Sequence, residues 1–194
     1  EAAPNPFLKA LESMLEGAPE QVAQIFETER GRFFGPSSPH VHFLWALEAI
    51  AWDPRYLNRA AIVLAKLGQL DPEPDSNYVN RPINSLRDIL LGWSPNTYAL
   101  QPQRISCLDA ILKACPDVGW QLLKKLLPRS HDISSPTQHP KLRDFAPEKP
   151  EEITFGSVWD FETAVVDRAL VAAGDNEARL GVFIESLGQL QAPN

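Results

Sequence analysis

Between Phe43 and Leu70 the chain reads FLWALEAIAWDPRYLNRAAIVLAKLGQL, and this stretch leaves little choice of fold. Phe43, Leu44, Leu47, Ile50 and Ala51 recur at helical spacing, while Trp45, Ala49 and Trp52 form a second apolar stripe. A helix that is apolar almost all round belongs between layers, so Leu47 is expected among the most buried residues and both tryptophans are expected to pack. Trp52-Asp53-Pro54 then breaks the pattern. Asp53 suits an N-cap, because its carboxylate can accept from the free N–H groups of a following helix. Pro54 suits the first helical position, where a missing N–H costs nothing. Leu57, Ala60, Ala61, Leu64 and Leu67 make a single stripe whose small central residues allow close approach, with Gly68 near its end. The stretch predicts a helical hairpin over residues 40–70.

The plan returns along the chain. Asn5-Pro6 opens a helix bearing Phe7, Leu8, Leu11, Met14 and Leu15, Gly17-Ala18-Pro19 ends it, and Val22, Ile25 and Phe26 continue, giving a hairpin over about 5–30. Gly31 to Ser38 is a turn-rich connection, and Asp71 to Asn77 a polar loop. Pro82 starts a single helix over about 82–92 with Ile83, Leu86, Ile89 and Leu90 inward. Ile105, Leu108, Ile111, Leu112 and Cys115, a break at Pro116-Asp117, then Val118, Leu122, Leu123 and Leu126 predict a hairpin over 102–128. Pro128, Pro136, Pro140, Pro147 and Pro150 preclude a helix, so 128–152 is expected to be one long proline-rich surface loop or a partly ordered excursion. Trp159, Val165, Val166, Ala169 and Leu170, a stop at Gly174, a cap at Asp175, and Leu180, Phe183, Ile184 and Leu187 give a last hairpin over about 158–190, with a frayed end beyond it.

Three hairpins share a detail. Ala10-Leu11-Glu12 precedes Pro19, Ala46-Leu47-Glu48 precedes Pro54, and Leu108-Asp109 precedes Pro116. An apolar–acidic pair thus stands seven or eight residues before each breaking proline. The reading is all-α: an irregular α-solenoid of antiparallel helical hairpins, HEAT/TPR-like, forming one helical-repeat domain over residues 1–194. A compact all-α domain whose helix breaks merely look alike is the alternative.

Composition narrows the function classes. At 44% apolar and 22% charged residues the chain matches an ordinary globular protein, and a formal net charge of −7 disfavours nucleic acid as a partner. Cys107 and Cys115 lie roughly 12 Å apart along one predicted helix, too far for a disulfide, and two unpaired thiols favour a reducing, cytoplasmic setting. No apolar run reaches the ~20 residues of a membrane span. Glu1-Ala2-Ala3-Pro4 has no signal-peptide organisation, and without an initiator Met the expectation is a piece of a longer protein.

No catalytic constellation stands out, and neither a metal nor a cofactor is expected. His40 and His42 would point about 200° apart on a helix, while His131 and His139 have only Asp132 nearby. Asp71-x-Glu73-x-Asp75 alternates acids like a calcium loop, but prolines interrupt it and the required glycine and glutamate are missing. There is no phosphate-binding glycine-lysine motif, dinucleotide fingerprint or nucleophile elbow. The five tryptophans favour packing roles, with an exposed one available as a binding anchor. Asn80, Arg81 and Asn84 cluster polar groups at a helix start, read either as a cap with Arg81 bridging neighbouring hairpins or as a contact surface. The candidate protein-binding residues are Arg81, Arg87 and Trp93.

At FLWALEAIAWDPRYLNRAAIVLAKLGQLDP, NRPINSLRDILLGWSPNT and PDVGWQLLKKLLP, covering roughly residues 40–128, the sequence resembles helical regions inside large bacterial proteins. Some of those look like multidomain defence or signalling proteins that join an effector or NTPase module to a helical-repeat sensor. The resemblance implies a sensor or scaffold segment that binds another protein; it carries over no functional residue. The leading expectation is a non-enzymatic module for protein–protein interaction. The alternative is a nucleic-acid enzyme resembling HEAT-like base glycosylases, built from Trp52-Asp53 with Arg55, Arg59, Lys124, Lys125 and Arg129. A purely structural connector is the third.

Overall fold

A computed structural model describes residues 4–17, 19, 20, 22, 40–71, 79–129, 132–141, 145–147 and 150–187. Among them are eight α-helices and no strand: α1 (Pro4–Gly17), α2 (His40–Ala51), α3 (Leu57–Gln69), α4 (Pro82–Leu90), α5 (Gln101–Ala114), α6 (Pro116–Leu126), α7 (Phe155–Ala173) and α8 (Glu177–Leu187). The all-helical expectation is met. The second half of the first hairpin beyond Val22, the Gly31–Ser38 connection, Pro72 to Asn77, His131 and the C-terminal end lie outside the described residues.

Helix α3 sits at the centre, packed against α1, α2, α4, α5 and α6, while α6 also meets α4, α5 and α7, and α8 packs on α7. This inverts the expectation for the Phe43–Leu70 stretch. Helix α2, apolar all round in sequence, buries Leu44, Leu47, Ile50 and Ala51 but turns Trp45 outward at 37% exposure. Helix α3, expected to carry one stripe, buries Leu57, Ala60, Ala61, Val63, Leu64, Ala65 and Leu67 on nearly every side. Small side chains explain the exchange: alanines let neighbouring backbones approach from several directions, whereas an indole can cover an edge while staying half wet. Leu47 is fully buried, as expected.

The turn between these helices also differs from the expectation. Helix α3 starts at Leu57 rather than Pro54. Asp53 Oδ1 accepts from the Arg55 N–H at 3.0 Å, its Oδ2 pairs with the Arg55 guanidinium at 2.7 Å, and Tyr56 N–H donates to Asp53 O at 2.9 Å. An aspartate bonding two residues ahead stabilises a turn in competition with a helix start, so the helix begins later.

Proline and glycine act where the sequence placed them. Pro82 and Pro116 open α4 and α6. Cys115, before Pro116, leaves the helical region at φ −139° and ψ 72°, which separates α5 from α6 within one residue. Gly119 is required by packing: a Cβ there would lie 2.8 Å from Leu112 Cδ2 and 3.0 Å from Leu112 Cα, so α6 and α5 could not approach as closely. Helix α7 begins at Phe155, because Thr154 and Ser157 cap each other reciprocally at 2.9 and 3.1 Å. It ends at Gly174, whose φ of +50° suits glycine. The cap of α8 is Asn176, which accepts from Arg179 N–H at 3.0 Å, rather than Asp175. Leu170 and Ile184, part of the apolar spacing that marks these two helices, are exposed on this C-terminal pair.

The shared apolar–acidic pairs have a common use. Leu11, Leu47 and Leu108 are buried, and each following acid reaches a later helix: Glu12 binds Arg59 on α3 at 2.8 Å, Glu48 accepts from Ser85 on α4 at 2.6 Å, and Asp109 binds Arg168 on α7 at 2.6 Å. The two partly exposed ion pairs contribute about 0–1 kcal/mol each.

Cys107 and Cys115 are free and buried. Burial pushes the Cys107 thiol up to about 12 and raises Cys115 as well, partly offset there by Lys66. Neither thiol is expected to react with a disulfide reagent at pH 8 in the native chain, and both should react after denaturation. Labelling of the native chain at the rate of a free thiol would refute this.

Candidate functional site

The site forms where the C-terminal ends of α2 and α4 are laid side by side. Thr97 Oγ1 donates to Ala51 O at 2.7 Å and Tyr98 N–H to Trp52 O at 3.0 Å, tying residues 97 and 98 to the end of α2. Asn96 N–H and Nδ2 donate to Asp88 O at 3.2 and 2.8 Å, closing the end of α4. Those ends leave carbonyls without helical partners, and this one short segment satisfies several of them. Trp52, Arg87, Asp88, Trp93, Asn96 and Tyr98 are thereby gathered along one path.

The proline-rich segment lies on that path. Residues 132–141 have no secondary structure, yet groups on α2, α4 and the 93–98 connection hold their backbone. Arg87 Nη1 donates to Ile133 O at 3.0 Å and Asn96 Nδ2 to Ser135 O at 3.4 Å. Asn96 Oδ1 accepts from Thr137 N–H at 3.3 Å, and Glu48 Oε2 from Gln138 N–H at 3.1 Å. Asp88 takes a further backbone hydrogen bond from Ser135. Three side chains of the segment contact these elements, Asp132 and Thr137 half-buried and His139 exposed. Asp132 binds Arg87 and, at 3.4 Å, Trp93 Nε1; Thr137 Oγ1 accepts from Trp52 Nε1 at 3.1 Å. His139 stands edge-on to Trp52 at 4.5 Å between centroids, with Nε2 3.0 Å from Tyr98 Oη. Farther along, Glu151 accepts from Gln101 N–H at 2.9 Å and from buried Arg104 at 2.7 Å, fixing the segment to the start of α5.

Two buried carboxylates underlie the segment. Burial raises Glu48 above its ordinary range, an effect that bonds from Ser85 and Gln138 offset only in part and that nearby Asp88 reinforces. Burial raises Asp88 too, against the attraction of Arg87. For an acid with a raised folded-state pKa, the stabilising contribution is present below the unfolded value, 4.5 for Glu48, and is lost as pH rises through the folded value. Glu48→Gln, which stays neutral, is therefore expected to match or exceed the wild type in stability at about pH 7 and to fall behind it as pH drops toward about 4.5. Denaturation midpoints across that window test this. A parallel pH dependence in the two proteins would refute it.

The three sequence-selected residues fall in two places. Arg87 and Trp93 belong to this path, Trp93 at 38% exposure. Arg81 does not: it is 0% exposed and paired with buried Asp71 at the end of α3, so its guanidinium offers no face to a partner and instead bridges α3 to α4. Of the residues considered for a nucleic-acid enzyme, Asp53 is buried against Arg55 and Trp52 is bonded to Thr137. Among the described residues, no group of three or more His, Cys, Asp or Glu side chains is placed to hold a metal ion, and no helix is long and apolar enough to cross a membrane.

Sequence reasoning passed over Glu48, Asp88, Asn96 and Tyr98 as site residues. Glu48 carried a signal, an acid inside an apolar helix and part of the shared pairs. Asn96 and Tyr98 carried none, since their roles depend on which helix ends meet. The class defined is thus an all-helical protein with an extended segment strapped over two helix ends. Comparisons with protein-family models, with curated proteins and with solved structures find no match.

Proposed function

We infer that the chain is a non-enzymatic helical-repeat module for protein–protein interaction, a cytoplasmic sensor or scaffold segment of a larger bacterial protein. In this reading the helices form one irregular α-solenoid domain, supported by the order in which neighbours pack and by the acids that link a helix to the next but one, α1 to α3, α2 to α4 and α5 to α7. The observation that carries the binding function is the Arg87–Trp93 pair, which already grips a carboxylate, Asp132, with Arg87 13% and Trp93 38% exposed. Arginine and tryptophan are the side chains most enriched among interface hot spots. Affinity capture with the immobilised chain should retain a protein that Arg87→Ala and Trp93→Ala both lose, by about 2 kcal/mol or more of binding. Capture unchanged by both substitutions would remove the assignment, and salt-sensitive retention on DNA would favour the nucleic-acid enzyme instead.

A further inference from the structure

We propose that the path over the ends of α2 and α4 is a binding groove for an extended peptide, and that residues 132–141 occupy it as a built-in competitor. The pattern of contacts is that of peptide recognition rather than of core packing. The groove reads the backbone of the segment at Ile133, Ser135, Thr137 and Gln138, from Arg87, Asn96, Asp88 and Glu48. Such contacts are available to any extended chain in the same register. Specificity comes from three positions, an acid on Arg87 and Trp93, a hydroxyl on Trp52 Nε1, and an imidazole against Trp52 and Tyr98. Of the remaining side chains, Ile133 is 78% exposed and Ser135, Pro136 and Gln138 are exposed as well, Ser134 is half-buried, and Pro140 is buried, anchoring the far end of the segment.

A segment that served only to cover the core would turn its isoleucine in. This one leaves its isoleucine in water, turns Asp132 and Thr137 toward the protein and buries only Pro140, which suits an occupant that can be exchanged. The incoming ligand is an extended peptide with an acid five residues before a threonine and a histidine two residues after it. Because the resident segment is tethered, its effective concentration is on the order of millimolar, so a free peptide binds the intact chain weakly. A partner carrying the matching sequence would displace the segment and free residues 132–141.

The inference rests on the protein-binding reading above and has its own test. A fluorescent peptide of the sequence DISSPTQHPK is titrated into the full chain and into a variant with Asp132→Ala, Thr137→Ala and His139→Ala together. The variant keeps the groove and weakens its occupant, so it should bind the peptide about tenfold or more tighter than the wild type. Adding Arg87→Ala should abolish that gain. Equal affinity of the wild type and a natively folded triple variant would overturn the proposal, as would equal binding of a scrambled peptide. Should the triple variant not fold, the wild type decides: excess DISSPTQHPK should speed hydrogen exchange of the Thr137 and Gln138 amides severalfold, and unchanged protection overturns the proposal. Failure here alongside an Arg87-dependent captured protein would remove the groove alone. Peptide binding with no captured protein would leave the groove and remove that partner assignment.

Discussion

Arg81→Ala is expected to destabilise the chain by about 3–5 kcal/mol, the cost of leaving one member of a buried ion pair without its counter-charge. Arg81 and Asp71 have side chains 0% and 1% exposed, so neither charge can turn to water when the other is removed. Asp71 closes the end of α3 and Arg81 precedes the first turn of α4, so the loss would fall on the junction between the central helix and the helix that carries Arg87. Denaturant unfolding with an unchanged slope would measure it. Replacing both partners together, Arg81→Met with Asp71→Leu, should recover most of the loss, because two apolar side chains remove the desolvation penalty along with the attraction. A cost below about 1 kcal/mol for Arg81→Ala would show the pair to be solvated.

Leu47→Ala should cost about 2–5 kcal/mol, combining lost apolar burial with a cavity between α2, α3 and α4. The comparison that makes this informative is Trp45→Ala, two residues away. A tryptophan fully inside a core would cost as much or more, but Trp45 stands on the outward edge of α2 and keeps much of its surface in water. Its truncation is therefore expected to cost less than that of the smaller leucine. The reverse order, read from the same unfolding curves, would mean that α2 is covered on the side where Trp45 now faces solvent.

Much of the fold was legible because its signals are local. Prolines 82 and 116 open helices by a rule confined to one residue and its neighbours, and the apolar spacing of α3, α4 and α6 named core residues that are buried. The failures share a cause. Asp53 was read as a cap and closes a turn, and Asp175 yielded to Asn176, since each choice depends on a competing partner. The site was half legible. Arg87 and Trp93 stood out as polar or aromatic groups around a helix end, but Arg81 stood out for the same reason and proved to be a buried strut.

The sequence by itself determined that the chain is helical, where most helices start and stop, and that the described residues between 128 and 152 contain no helix, because periodicity and proline act over a few residues. Only the tertiary structure decided which helix became the centre. Alanine-rich α3 took that place over the more apolar α2, since close approach depends on side-chain size as well as on hydrophobicity. It also decided that the proline-rich segment is held down. Its partners Glu48, Arg87 and Asn96 lie between 39 and 90 residues away, and hydrogen bonds to a backbone leave no mark on the sequence that supplies it.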